Sequence, residues 1–137
     1  INSKYNNVIS MLFNVDLHFL YYFNGDLIMK LLTKQNTTKM IKNFKDADED
    51  HKPVVKLFGG GACTWLLSEL DTENNIAFGL CDIGHGSAEL GYVSIDELEQ
   101  IRFPPFGNRV ERDSYFVADK TLTEYADLAR IEGGIVA

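Results

Sequence analysis

Residues 54–94 read VVKLFGGGACTWLLSELDTENNIAFGLCDIGHGSAELGYVS. Four short runs rich in aliphatic, β-branched and aromatic residues lie within this stretch: Val54–Phe58, Cys63–Leu70, Ile76–Asp82 and Glu89–Ser94. Turn-forming residues divide them, namely Gly59-Gly60-Gly61, Asp71–Asn75 and Gly84–Ser87. Short runs separated in this way predict an antiparallel meander.

Helix signals flank the meander on both sides. Thr33 is placed to cap a helix running to about Phe44, with Met40, Ile41 and Phe44 on one face and Lys34, Lys39, Lys42 and Lys45 elsewhere. The charged segment Asp46–Lys52 follows as a linker without an apolar anchor, and Pro53 then starts extended chain. After the meander, Ser94-Ile-Asp-Glu97 has the capping-box pattern, with Ile95, Leu98 and Ile101 as a buried stripe and Pro104-Pro105 as a stop. A further strand is predicted at Arg112–Val117. Thr121-Leu-Thr-Glu124 repeats the box ahead of Leu122, Tyr125, Leu128 and Ala129, and Gly133-Gly134 ends that helix. The expected architecture is α+β: an antiparallel sheet of about four or five strands with helices packed on one face.

The chain has 137 residues, enough for one globular core. Its 13 Lys and Arg against 20 Asp and Glu give a formal charge of −7, which argues against a broad phosphate-binding surface, so no direct nucleic-acid binding is expected. The acidity belongs to residues 53–137, since residues 1–52 are close to neutral. Two cysteines, Cys63 and Cys81, are too few for a secreted disulfide scaffold and suit a reducing cytoplasm as well as they suit one disulfide.

The first 28 residues stand apart. Val8–Phe23 is the most apolar run, yet it contains Asn14, Asp16 and His18 and is shorter than the roughly 20 apolar residues of a bilayer span. No membrane association is expected, and no signal-peptide pattern is present. Codons for Asn24-Gly25-Asp26 can carry the purine run GGAGA at the spacing of a ribosome-binding site before Met29. Residues 1–28 are therefore expected to be upstream translation or a flexible extension, and 29–137 a single domain.

Particular strings in the later region are distinctive: Pro53-Val-Val-Lys-Leu-Phe58, Thr64-Trp-Leu-Leu-Ser-Glu-Leu-Asp71, Ala77-Phe-Gly-Leu-Cys-Asp82, Glu89-Leu-Gly-Tyr-Val-Ser94 with Glu97-Leu98, and Val110-Glu-Arg-Asp113. Together they resemble the bacterial domain of unknown function 2958 family, over Met29 to about Arg130. The resemblance implies a small accessory protein of plasmids and integrating elements, often encoded near antirestriction genes. It brings no assigned activity.

Several residues are of types able to carry chemistry. Cys63, Cys81, His51 and His85 lack the close pairing that structural zinc sites use, so no metal or cofactor is expected and the cysteines read as small buried apolar groups. The glycine run lacks the Lys-Ser/Thr that a phosphate-cradling loop requires. Asp82 ends one strand and Glu89 begins the next across the loop that holds His85, so these three are the catalytic candidates if the chain is an enzyme. Glu111, Arg112 and Asp113 are candidate binding residues, with an ion-pair network that fixes the last strand as their favoured structural role. Trp65 and Tyr92 are candidate binding anchors, with core packing the competing role for Trp65. The leading expectation is a non-catalytic module that binds a protein partner in the cytoplasm. The alternatives are a metal-assisted or acid/base hydrolase using Asp82, Glu89 and His85, and an acidic nucleic-acid mimic acting on a restriction or defence enzyme.

Overall fold

The computed structural model describes residues 30–137, so the expectations for residues 1–28 and the Met29 start lie outside the described residues. Helix α1 spans Lys34–Lys45, strands β1 to β4 span Val55–Gly59, Cys63–Asp71, Ile76–Asp82 and Glu89–Ser94, and helix α2 spans Ile95–Gln100. Strand β5 is Glu111–Arg112 and helix α3 is Leu122–Glu132. The sheet order is β4-β3-β2-β1-β5, and every pairing is antiparallel. The meander thus forms as predicted, and β5 adds to the free edge of β1. No helix among the described residues is long and apolar enough to cross a membrane.

The caps follow their sequence signals. Thr33 Oγ1 accepts from Asn36 N–H while the Asn36 side chain accepts from Thr33 N–H, and Thr121 and Glu124 form the same reciprocal pair ahead of α3. Such a cap contributes about 1 kcal/mol. Ser94 Oγ accepts from Glu97 N–H at the start of α2. Gly133 ends α3 at φ 82°, a left-handed geometry that glycine adopts without a Cβ penalty.

Six consecutive residues of β2, Trp65–Leu70, are buried, so the central strand presents apolar surface on both faces. The helices accordingly divide between the faces, where the sequence predicted one. Trp65, Leu67, Leu70, Val55, Leu57 and Ala77 pack on the front face with Met40 of α1 and with Ile95 and Leu98 of α2. On the back face Leu66 and Leu80 pack beneath Leu122, Tyr125, Ala126 and Ala129 of α3. The predicted linker is anchored by α3: His51 C=O accepts from Leu122 N–H at 2.9 Å, and the Asp50 carboxylate accepts from Thr123 N–H at 3.1 Å. Against the desolvation that raises it, hydrogen bonds from Thr121 and Thr123 hold the Asp50 carboxyl below its usual range.

The last strand is shorter than predicted. Asp113 N–H still donates to Lys56 C=O on β1, but the Asp113 carboxylate accepts from Tyr115 N–H at 2.9 Å, a turn that folds the chain away from the sheet. Tyr115 and Val117 are consequently exposed.

One irregularity sets which side chains reach which face. Leu67 pairs with Gly79 and Glu69 with Phe78, so Ser68 is an extra residue in β2, a β-bulge. In a regular strand Glu69 would follow Trp65 and Leu67 into the front core; the bulge sends it to the back face and keeps Leu70 in the front one. Gly79 makes room for the bulge: a Cβ there would stand 2.0 Å from Leu66 C=O and 2.8 Å from Leu67 Cα. The Ser68 carbonyl accepts from the Asn43 amide of α1 at 2.9 Å, which satisfies the edge of β2 beyond its last β1 partner.

The bulge therefore depends on Gly79. Gly79→Ala is expected to lower the free energy of unfolding by about 2–3 kcal/mol, whereas Gly91→Ala, where a Cβ meets nothing within 4 Å, is expected to leave it within about 0.5 kcal/mol. Urea titrations of the two variants provide the check.

Candidate functional site

The strand register places the sequence-predicted residues. Cys81 pairs with Glu89, so these two share the front face, and Asp82, one residue further on, points to the back face. The structure therefore does not bring Asp82 and Glu89 together. Asp82 is buried and its carboxylate is occupied, Oδ1 accepting from Gly84 N–H at 2.8 Å and Oδ2 from Ile135 N–H at 3.0 Å. It fastens the chain after α3 to the β3–β4 loop. His85 and Glu89 are exposed.

The expected Glu111, Arg112 and Asp113 network does not form. The Arg112 guanidinium donates to the carbonyls of Lys30 at 3.2 Å and Leu31 at 2.6 Å, and Asp113 lies 3.8 Å from Lys56 Nζ, while Glu111 is exposed. Arg112 has five donors and no acceptor, so two backbone carbonyls on an adjacent segment satisfy it as well as a carboxylate does. With Glu99, whose carboxylate accepts from Leu31 N–H, it holds the start of the described chain against the front core.

Trp65 is buried in the front core, and Tyr92 stands on the back face with 74% of its surface exposed. They do not form one anchor. Cys63 and Cys81 are unbonded and half-buried. Burial pushes the Cys81 thiol up to about 11 and raises Cys63 as well, with the Asp82 charge adding to the latter. Thiolates are disfavoured at both places, and no group of three or more His, Cys, Asp or Glu side chains among the described residues converges on a metal position.

What the back face does contain is a groove of about 340 Å³ beyond the part that α3 covers. Its walls are Phe44 from the end of α1, Phe78 of β3 and Tyr92 of β4, with Ile76 beside them. Phe78 and Tyr92 are paired across the strands, their ring centroids 5.1 Å apart and inclined at 53°. Glu69 and Asp71 of β2 also line the groove, the first of them placed on this face by the bulge.

The two carboxylates differ. Asp71 closes the β2–β3 turn, accepting from Glu73 N–H at 3.0 Å and from the Asn74 amide at 2.9 Å. Glu69 is only 6% exposed, and no hydrogen bond or ion pair from the described residues reaches it. Burial raises its pKa, opposed by the charge of His51. A buried carboxylate without a hydrogen bond or a close ion pair is costly, so the arrangement is one that stability alone does not favour. Sequence reading missed Glu69 because strand alternation aims it at the core; the available signal was a carboxylate inside the apolar run Leu66–Leu70.

The folded state binds a proton to Glu69 more tightly than the unfolded chain, whose value is near 4.5. The penalty is absent below that pH and grows as pH rises through the folded-state value. Glu69→Gln is therefore expected to be the more stable protein at pH 7, by about 1 kcal/mol, with the advantage shrinking toward pH 4 in thermal or urea unfolding.

No curated protein and no solved structure matches the chain. A family model described as a protein of unknown function (DUF2958) matches residues 31–136, which takes in every described helix and strand. The chain belongs to that DUF2958 family of proteins of unknown function.

Proposed function

We propose that this chain is a non-catalytic binding module that engages a protein partner through the back-face groove, acting in the cytoplasm as an accessory protein of bacterial mobile elements. The observation that carries this reading is the exposed Tyr92 beside Phe78 and Phe44, an aromatic surface left open next to a helix-covered one. Tyrosine at such a site supplies contact area at little entropic cost and is enriched where interfaces concentrate their affinity. The Asp82 bonding favours this reading over a hydrolase. Both of its oxygens are engaged by backbone amides, and the register turns Glu89 to the other face. The acidic surplus of residues 53–137 would serve a nucleic-acid mimic, but the aromatic groove offers a protein contact that net charge alone does not.

Affinity capture from the host with the full chain as bait is expected to retain a stoichiometric protein partner that Tyr92→Ala loses. Tyr92 is exposed, so the substitution spares the core. Capture of the same partner at equal yield by the Tyr92→Ala bait would overturn the reading.

A further inference from the structure

We propose that the back-face groove receives an arginine side chain of the partner, its guanidinium stacked against Phe78 and Tyr92 and forked onto the Glu69 carboxylate. The inference rests on the reading of the chain as a binding module and names the chemistry that the module recognises. Three observations support it together.

The first is the unpaired carboxylate. Glu69 is only 6% exposed, lines the groove, and has no hydrogen-bond or ion-pair partner among the described residues. An apolar side chain entering the groove would seal that charge away from water with only the charge of His51, and no hydrogen bond, to compensate it, and an anionic one would be repelled. A cation gains both the Coulomb attraction and the missing hydrogen bonds.

The second is the lining. Phe44, Phe78 and Tyr92 present ring surface around the carboxylate, and aromatic faces attract cations through their quadrupoles. Of the two basic side chains, arginine fits better. Its planar guanidinium stacks on rings, sheds water more readily than an ammonium, and offers paired donors that match one carboxylate.

The third is size and field. A groove of about 340 Å³ lies near the lower end of the range for ligand pockets, about 300–1,000 Å³, which suits one inserted side chain. Asp71 sits on the same wall, with Oδ1 and Oδ2 committed to the turn, and adds negative potential without competing for the guanidinium.

The test uses the full chain labelled with ¹⁵N and four probes: blocked tripeptides Gly-Arg-Gly, Gly-Lys-Gly and Gly-citrulline-Gly, and spermidine. The arginine peptide is expected to shift the amides of Glu69, Phe78 and Tyr92 saturably. Binding is expected to weaken by about tenfold or more with Glu69→Gln, and likewise with citrulline, which keeps the shape and loses the charge. Lysine is expected to bind more weakly than arginine. Equal binding of the citrulline peptide, undiminished binding by Glu69→Gln, tighter binding of lysine or spermidine, or no response to the arginine peptide would each overturn the assignment. If the arginine peptide gives no response while a partner is still captured and still lost with Tyr92→Ala, the arginine assignment falls and the binding-module reading stands.

Discussion

The arrangement of this domain depends on one steric accommodation, the insertion of Ser68 into β2 opposite the space left by Gly79. Side chains alternate along a strand, so one additional residue exchanges the faces of everything after it. Here that exchange puts Leu70 beneath α1 in the front core and Glu69 and Asp71 on the back face. The Asn43 amide fixes the bulge by binding the Ser68 carbonyl, and thereby ties the end of α1, including Phe44, to the rim of the same groove. Backbone geometry, helix placement and groove lining thus share a single origin.

The same accommodation links stability with binding. A carboxylate held away from water without a partner is the kind of feature that persists where a ligand completes it, since removal would otherwise be favoured. The rest of the domain offsets the cost by ordinary means. Trp65, Leu66, Leu67 and Leu70 are buried along the central strand, two helices carry reciprocal capping boxes, and Asp82 fastens the chain after α3 to the β3–β4 loop. None of these features depends on Glu69, so the acid can be varied without dismantling the fold.

Much of the fold was legible in local signals. The glycine and Asp-Asn turns marked the hairpins, and Thr33, Ser94 and Thr121 each cap the helix they were expected to start. Glycine after α3 marked its end for the same local reason. Features decided by tertiary contacts were not legible. The β5 strand ended early because the Asp113 side chain captured the Tyr115 amide in place of further ladder bonds. Helices lie on both faces because Leu66 needed a cover as much as Leu67 did, and an apolar strand does not declare how many layers it will receive. Loop proximity points Asp82 and Glu89 toward one another in the sequence, and the strand register parts them. Glu69 was invisible as a site because only a bulge places it in the groove, and a bulge leaves almost no trace in one sequence.

The central claim is that Glu69 is a buried carboxylate awaiting a cationic partner. Its side-chain carboxyl carbon, followed by NMR through a pH titration, tests this directly. The account predicts a titration above the ordinary glutamate value of 4.5, shifting downward when a saturating arginine peptide is present, because the bound cation favours the charged form. A Glu69 that titrates at the ordinary glutamate value, and does not respond to the peptide, would contradict it.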